Sequence, residues 1–153
     1  MKILGFILLF LFGIFFSTPF KVVKVTKQEQ MGGRMESGTS TVYLFKIVAK
    51  KPSTKLHYED LWIGTEYYAI EASHQKPDNS ITNEFEKGDT IFFQAVRRFL
   101  PDDRGDLVLQ KSSQIKNVPL EYAGKALIGY KYKEKQHYYA VEDIEVLTDV
   151  NLP

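Results

Sequence analysis

A single Lys at position 2 precedes an uninterrupted apolar run from Ile3 to Phe16, and Ser17, Thr18 and Pro19 follow it. A cationic start, about 7–15 apolar residues and small residues behind them describe an export signal. As a helix this run would reach roughly 21 Å, short of a hydrocarbon core of about 30 Å. Residues 1–19 are therefore expected to be a signal peptide or an uncleaved membrane anchor. The positions before the small residues are Phe15 and Phe16, which is a poor peptidase site, and the chain has no Cys for lipoprotein processing. Charge does not fix an orientation, because Lys2 lies before the run and Lys21, Lys24 and Lys27 lie just after it. The expected location is the cell envelope or the exterior, with a tether through residues 3–16 if cleavage fails.

Residues 20–153 are long enough for one domain with its own core. Lys2 is the only charged residue before Lys21, so the remainder balances 19 cationic against 19 anionic side chains. That balance gives no electrostatic footprint for nucleic acid, and none is expected as a partner. With no Cys, the domain must be held by packing rather than by disulfides.

After Phe20 the apolar positions recur with period two and are rich in Val, Ile, Phe and Tyr, which is the pattern of strands. Strands are expected over Phe20–Gln28, Thr41–Lys50, Leu56–Ile63, Tyr67–Ala72, Thr90–Phe99 and Leu107–Leu109. A last hairpin joins Lys125–Tyr132 to His137–Leu147 through Lys133–Gln136. Gly64-Thr65 reads as a tight two-residue turn, and His74–Asn83 and Pro101–Asp106 read as polar loops. No sustained helical pattern supplies crossovers for a parallel sheet. The expectation is an all-β, antiparallel β-sandwich of seven or eight strands, preceded by an N-terminal hydrophobic helix. Trp62 sits where an immunoglobulin-like domain often buries a strand Trp, so the architecture resembles that plan, although the Cys pair is absent. A lipocalin-like or oligonucleotide-binding-type barrel has a similar strand count. Trp62, Phe45, Ile47, Phe93, Ile128 and Ile144 are expected between the two sheets.

Catalytic and cofactor motifs are missing from the sequence. There is no G-x-S-x-G elbow, and Gly32-Gly33 lacks the helix that a phosphate cradle needs. No cofactor is expected. His57 and Glu59 share a strand face and could approach one metal or one water, with His74 and His137 the other histidines available. Asp102, Asp103 and Asp106 surround Gly105 in an acidic loop, but their order does not match an EF-hand, and Arg104-Gly105-Asp106 is too short to specify an adhesion ligand. Arg97 and Arg98 could receive an anion, or could be paired by Glu142, Asp143, Glu145 and Asp149. In the last hairpin, Tyr130, Tyr132, Tyr138 and Tyr139 alternate with lysines and could stack sugar rings or bases. These tyrosines are the candidate binding surface.

Two functional classes follow. One is a binding or interaction module at the cell envelope, whose partner would be an envelope protein or polysaccharide. The other is a hydrolase or metal-dependent enzyme with a site assembled around His57 and Glu59.

Overall fold

In the computed structural model the described residues are 17–33, 37–110 and 114–152. The expected N-terminal helix, residues 3–16, lies outside them. Among the described residues no helix is long and apolar enough to cross a membrane.

The described chain is all-β and forms two sheets. The larger uses β1 (Phe20–Met31), β2 (Thr39–Ala49), β5 (Ser73–Gln75), β6 (Ile81–Thr82), β7 (Thr90–Pro101), β8 (Leu107–Leu109), β11 (Glu145–Val146) and β12 (Val150–Asn151). The smaller uses β3 (Leu56–Ile63), β4 (Glu66–Ala69), β9 (Ala126–Tyr132) and β10 (Lys135–Val141), in the order β10-β9-β3-β4. The main path of the larger sheet is β11-β1-β2-β7-β5-β6, with β12 also on β1 and β8 also on β7. Among the described residues, twelve strands replace the seven or eight expected. The additions are rungs of two or three residues, too short for alternation to register in sequence. Two of them, β11 and β12, run parallel to β1, so the larger sheet is not purely antiparallel.

Alternation places the core. Tyr43, Phe45, Ile47 and Ala49 of β2 and Ile91, Phe93 and Ala95 of β7 face the smaller sheet. They meet Leu56, Tyr58, Leu61, Ala126, Ile128 and Tyr130 there. Phe45 stacks on Phe93 with ring centres 4.8 Å apart. Phe20, 1% exposed, has its ring edge-on to Tyr58, Tyr130 and Tyr139 at 5.0–5.3 Å. The chain is anchored one residue earlier as well, because Lys50 N–H donates to the Pro19 carbonyl at 2.9 Å.

Trp62 departs from expectation. It is 2% exposed, but it packs with Tyr67 and Leu127 on the outer face of the smaller sheet, separate from the inter-sheet core. A register shift between Tyr58 and Asp60, at Glu59, is the cause. Leu56 and Tyr58 point inward before it and Leu61 after it, so Asp60 and Trp62 point outward. Gly129, opposite Asp60, leaves room for the indole: a Cβ there would lie 3.3 Å from the Trp62 ring. Residues 114–124 cross this face as a strap, adding Val118 and Tyr122 to the small outer core. Phe45, Ile47, Phe93 and Ile128 lie between the sheets as expected, and Ile144 is half-buried against them.

Turns follow local chemistry. Gly64 has φ +61° in the turn between β3 and β4, as Gly64-Thr65 implied. The turn between β9 and β10 is tighter than the expected Lys133–Gln136 loop: Lys133 and Glu134 form it at φ +50° and +63°, and β10 begins at Lys135. The expected polar loop His74–Asn83 contains the β5–β6 hairpin, whose turn is held by Asp78 accepting from Ser80 N–H and Oγ at 2.9 and 2.6 Å.

Candidate binding groove

The tyrosines of the last hairpin do not form one surface. Tyr130 is buried in the core, and burial pushes its phenol pKa up. Tyr139 lies against Phe20, and Lys133 Nζ stands 5.5 Å over the Tyr132 ring. Tyr138, 37% exposed, is on the opposite face of β10, 6.1 Å from the Trp62 ring centre.

The histidines occupy three separate places. Glu59 holds Lys131 at 2.8 Å, and His57 is exposed on the strand beside it. His74 Nδ1 is 3.0 Å from the Thr90 carbonyl, and its Nε2 is 3.4 Å from Asp89. His137 stacks on Tyr130 at 5.5 Å. Among the described residues no three His, Asp or Glu side chains group closely enough to hold a metal ion. In the acidic loop, Asp102 Oδ1 accepts from Arg104 N–H and Asp106 N–H at 2.8 and 2.9 Å, which is an ordinary side-chain-capped turn.

On the outer face of the smaller sheet a polar cluster fastens the strap. Asp60, 8% exposed, accepts from Tyr67 Oη at 2.8 Å and from Lys116 Nζ at 2.7 Å. Trp62 Nε1 donates to the Lys116 carbonyl at 3.1 Å, and Tyr122 Oη to the Gly64 carbonyl at 2.9 Å. The hydrogen bond and charge of Asp60 hold the Lys116 ammonium above the usual lysine range. Burial, then the hydrogen bond to Asp60, raises the Tyr67 phenol. The Lys116–Asp60, Trp62–Lys116 and Tyr122–Gly64 bonds fasten the strap.

A site that sequence reasoning missed lies on the side of the sandwich where β4 of the smaller sheet faces β7 of the larger. Two clefts, of about 830 and 560 Å³, share Ala69, Gln94 and Val96 and so form one groove along β7. Its β5 end is lined by Leu44, Phe92 and Ile81 together with the polar Glu71, Thr82 and Asn83. At its β8 end are Arg97, Arg98 and Glu66. Arg97 does not reach the C-terminal carboxylates expected for it: its guanidinium holds Glu66 at 2.9 Å and lies 5.2 Å over Phe99. Glu145 instead holds Lys24, on the far edge of the sheet. Tyr68 Oη donates to the same Glu66 at 2.8 Å; burial first, then that bond, raises its pKa. Arg97 Nε is buried without a hydrogen-bond partner, and among the described residues Arg98 makes no ion pair. The groove depends on which edge of β7 is left unpaired over a few residues, and periodicity carries no trace of that.

No protein-family model, no curated protein and no solved structure matches this chain.

Proposed function

We propose that the chain is an exported or membrane-anchored β-sandwich that acts as a binding module at the cell envelope, with an envelope protein or polysaccharide as partner. The N-terminal apolar run supports the location. The immunoglobulin-like likeness belongs to this reading only as a two-layer plan that presents ligands at its margins. The groove along β7 is the single observation that carries the binding role: it is open, and it runs from an end where exposed Leu44 and Ile81 stand among polar side chains to an end that holds Arg97 and Arg98. Of the hairpin tyrosines, Tyr138 is the one free to stack on a ligand.

The test is photo-crosslinking from a reactive residue placed at position 94 of the full chain in its own cells, combined with fractionation and intact-mass measurement. An adduct with an envelope component, from a chain in the envelope or exported fraction, is expected. A cytosolic chain with no adduct from position 94 would count against both location and role.

A further inference from the structure

The groove follows a gap in a sheet edge. One edge of β7 pairs with β2 over Thr90–Phe99. The other edge pairs with β5 only at Ile91 and Phe92 and with β8 only from Phe99 to Pro101. Between them, among the described residues, no strand pairs with this edge.

Two hydrogen bonds show which backbone groups point into the gap. Ser73 Oγ donates to the Phe92 carbonyl at 3.2 Å, and Gln110 N–H donates to the Arg98 carbonyl at 2.8 Å. In an antiparallel ladder each residue directs its N–H and C=O to the same side, and alternate residues share that side. Gln94 and Val96 therefore aim two donors and two acceptors into the groove, at β spacing. Across it, Ile70 N–H donates to the Glu59 carbonyl of β3 at 2.9 Å, so the same alternation turns Tyr67 and Ala69 of β4 toward the groove. A row of backbone groups without partners at a sheet edge is a template for another strand.

The geometry points to an extended peptide that adds a strand to β7 between β5 and β8. This inference rests on the binding role proposed above and names its ligand class. Both flanking strands run antiparallel to β7, so a peptide in the same direction continues their line. The gap from Phe93 to Arg97 is roughly 17 Å long at about 3.3 Å per residue, which suits a segment of about five residues.

Cross-strand neighbours share a face, and this sets the peptide's chemistry. Residues opposite Gln94 and Val96 would lie on the outer face, beside Phe92, Leu44 and Ile81, the last two of which are 41% and 76% exposed. These positions call for apolar, β-branched side chains. Residues at the Arg97 end of the gap meet one guanidinium with an unpartnered Nε and lie next to that of Arg98, which has no ion pair among the described residues. They call for a carboxylate. Read from its N-terminus, the peptide is acidic, apolar, any residue, apolar.

The probe is acetyl-Ser-Glu-Val-Thr-Val-Ser-amide, titrated to millimolar concentration into the isotope-labelled full chain in detergent. The largest amide shifts should fall at Gln94 and Val96. Replacing the probe's Glu by Lys should weaken binding at least tenfold. N-methylation of the Val that meets Gln94 should abolish it, a control that leaves the protein unaltered. Val96→Pro removes an N–H that faces the groove rather than β2, and it should also abolish probe binding. Absence of shifts at β7, or equal binding of the N-methylated probe, would overturn strand addition. If the position-94 crosslink to an envelope component survives in that case, the binding role stands and only the ligand class falls.

Discussion

The strap over Trp62 is held by one buried carboxylate, which makes its energetics separable. Lys116→Ala removes the ammonium 2.7 Å from Asp60 and leaves that carboxylate, 12% exposed in its side chain, with Tyr67 as its one remaining side-chain donor among the described residues. A hydrogen bond to a charged group contributes about 1.5–3 kcal/mol, and a solvated ion pair about 0–1 kcal/mol. The Lys116 side chain is 54% exposed, so screening pulls the value down, and a cost of about 1–2 kcal/mol is expected. With Asp60→Asn already present there is no buried charge to strand. Lys116→Ala should then cost less than about 0.5 kcal/mol, giving a coupling of about 1 kcal/mol. Trp62 is the only Trp in the chain, so its emission during urea unfolding reports on the strap directly. The cycle has a pH counterpart. The folded-state pKa values of Lys116 and Tyr67 are both raised, so the stability they supply is complete below their unfolded values, about 10, and is lost as pH rises through the folded ones. Emission should accordingly shift red in alkali sooner in wild type than in Tyr67→Phe. Strictly additive single substitutions, or solvent-exposed emission in the native state, would refute the latch.

Tyr58 Oη is buried without a partner, and burial, with Tyr130 close by, drives its pKa far above the usual phenol value; Tyr58→Phe should therefore be neutral or stabilising by up to about 1 kcal/mol in urea titration. A chain beginning at Ser17 should melt like the full domain, whereas one beginning at Lys21 loses Phe20 and the Pro19–Lys50 bond and should lose about 3–5 kcal/mol. Glu134→Gly relieves a left-handed residue in the β9–β10 turn and should raise stability by about 0.5–1 kcal/mol, read from the melting temperature; an equal loss would show that the turn is not strained there.

The long strands were legible because their alternation is long. Tyr43 to Ala49 announces both a face and a partner layer, and the Gly64 turn announces its hairpin. Trp62 lies on the face opposite to the expected one for a physical reason: one extra residue at Glu59 inverts every side chain after it, and nothing in the Leu56–Ile63 pattern marks the bulge. The expected Lys133–Gln136 loop is longer than the observed turn because neither Lys133 nor Glu134 is a residue that prefers positive φ. Pairing of Arg97 with Glu66 could not be anticipated, since it depends on which sheet edges face each other. The groove had no signal at all. It is made of backbone groups left over when β5 and β8 each cover only part of β7.

Residue-resolved amide hydrogen exchange along β7 in the full chain, without ligand, tests the open edge most directly. Phe93 and Ala95 point their N–H groups at β2 and should exchange slowly, whereas Gln94 and Val96 should exchange at least a hundredfold faster despite lying in the middle of a twelve-residue strand. Uniform protection from Phe92 to Phe99 would mean that this edge is already paired, and the groove would have no backbone to offer a partner.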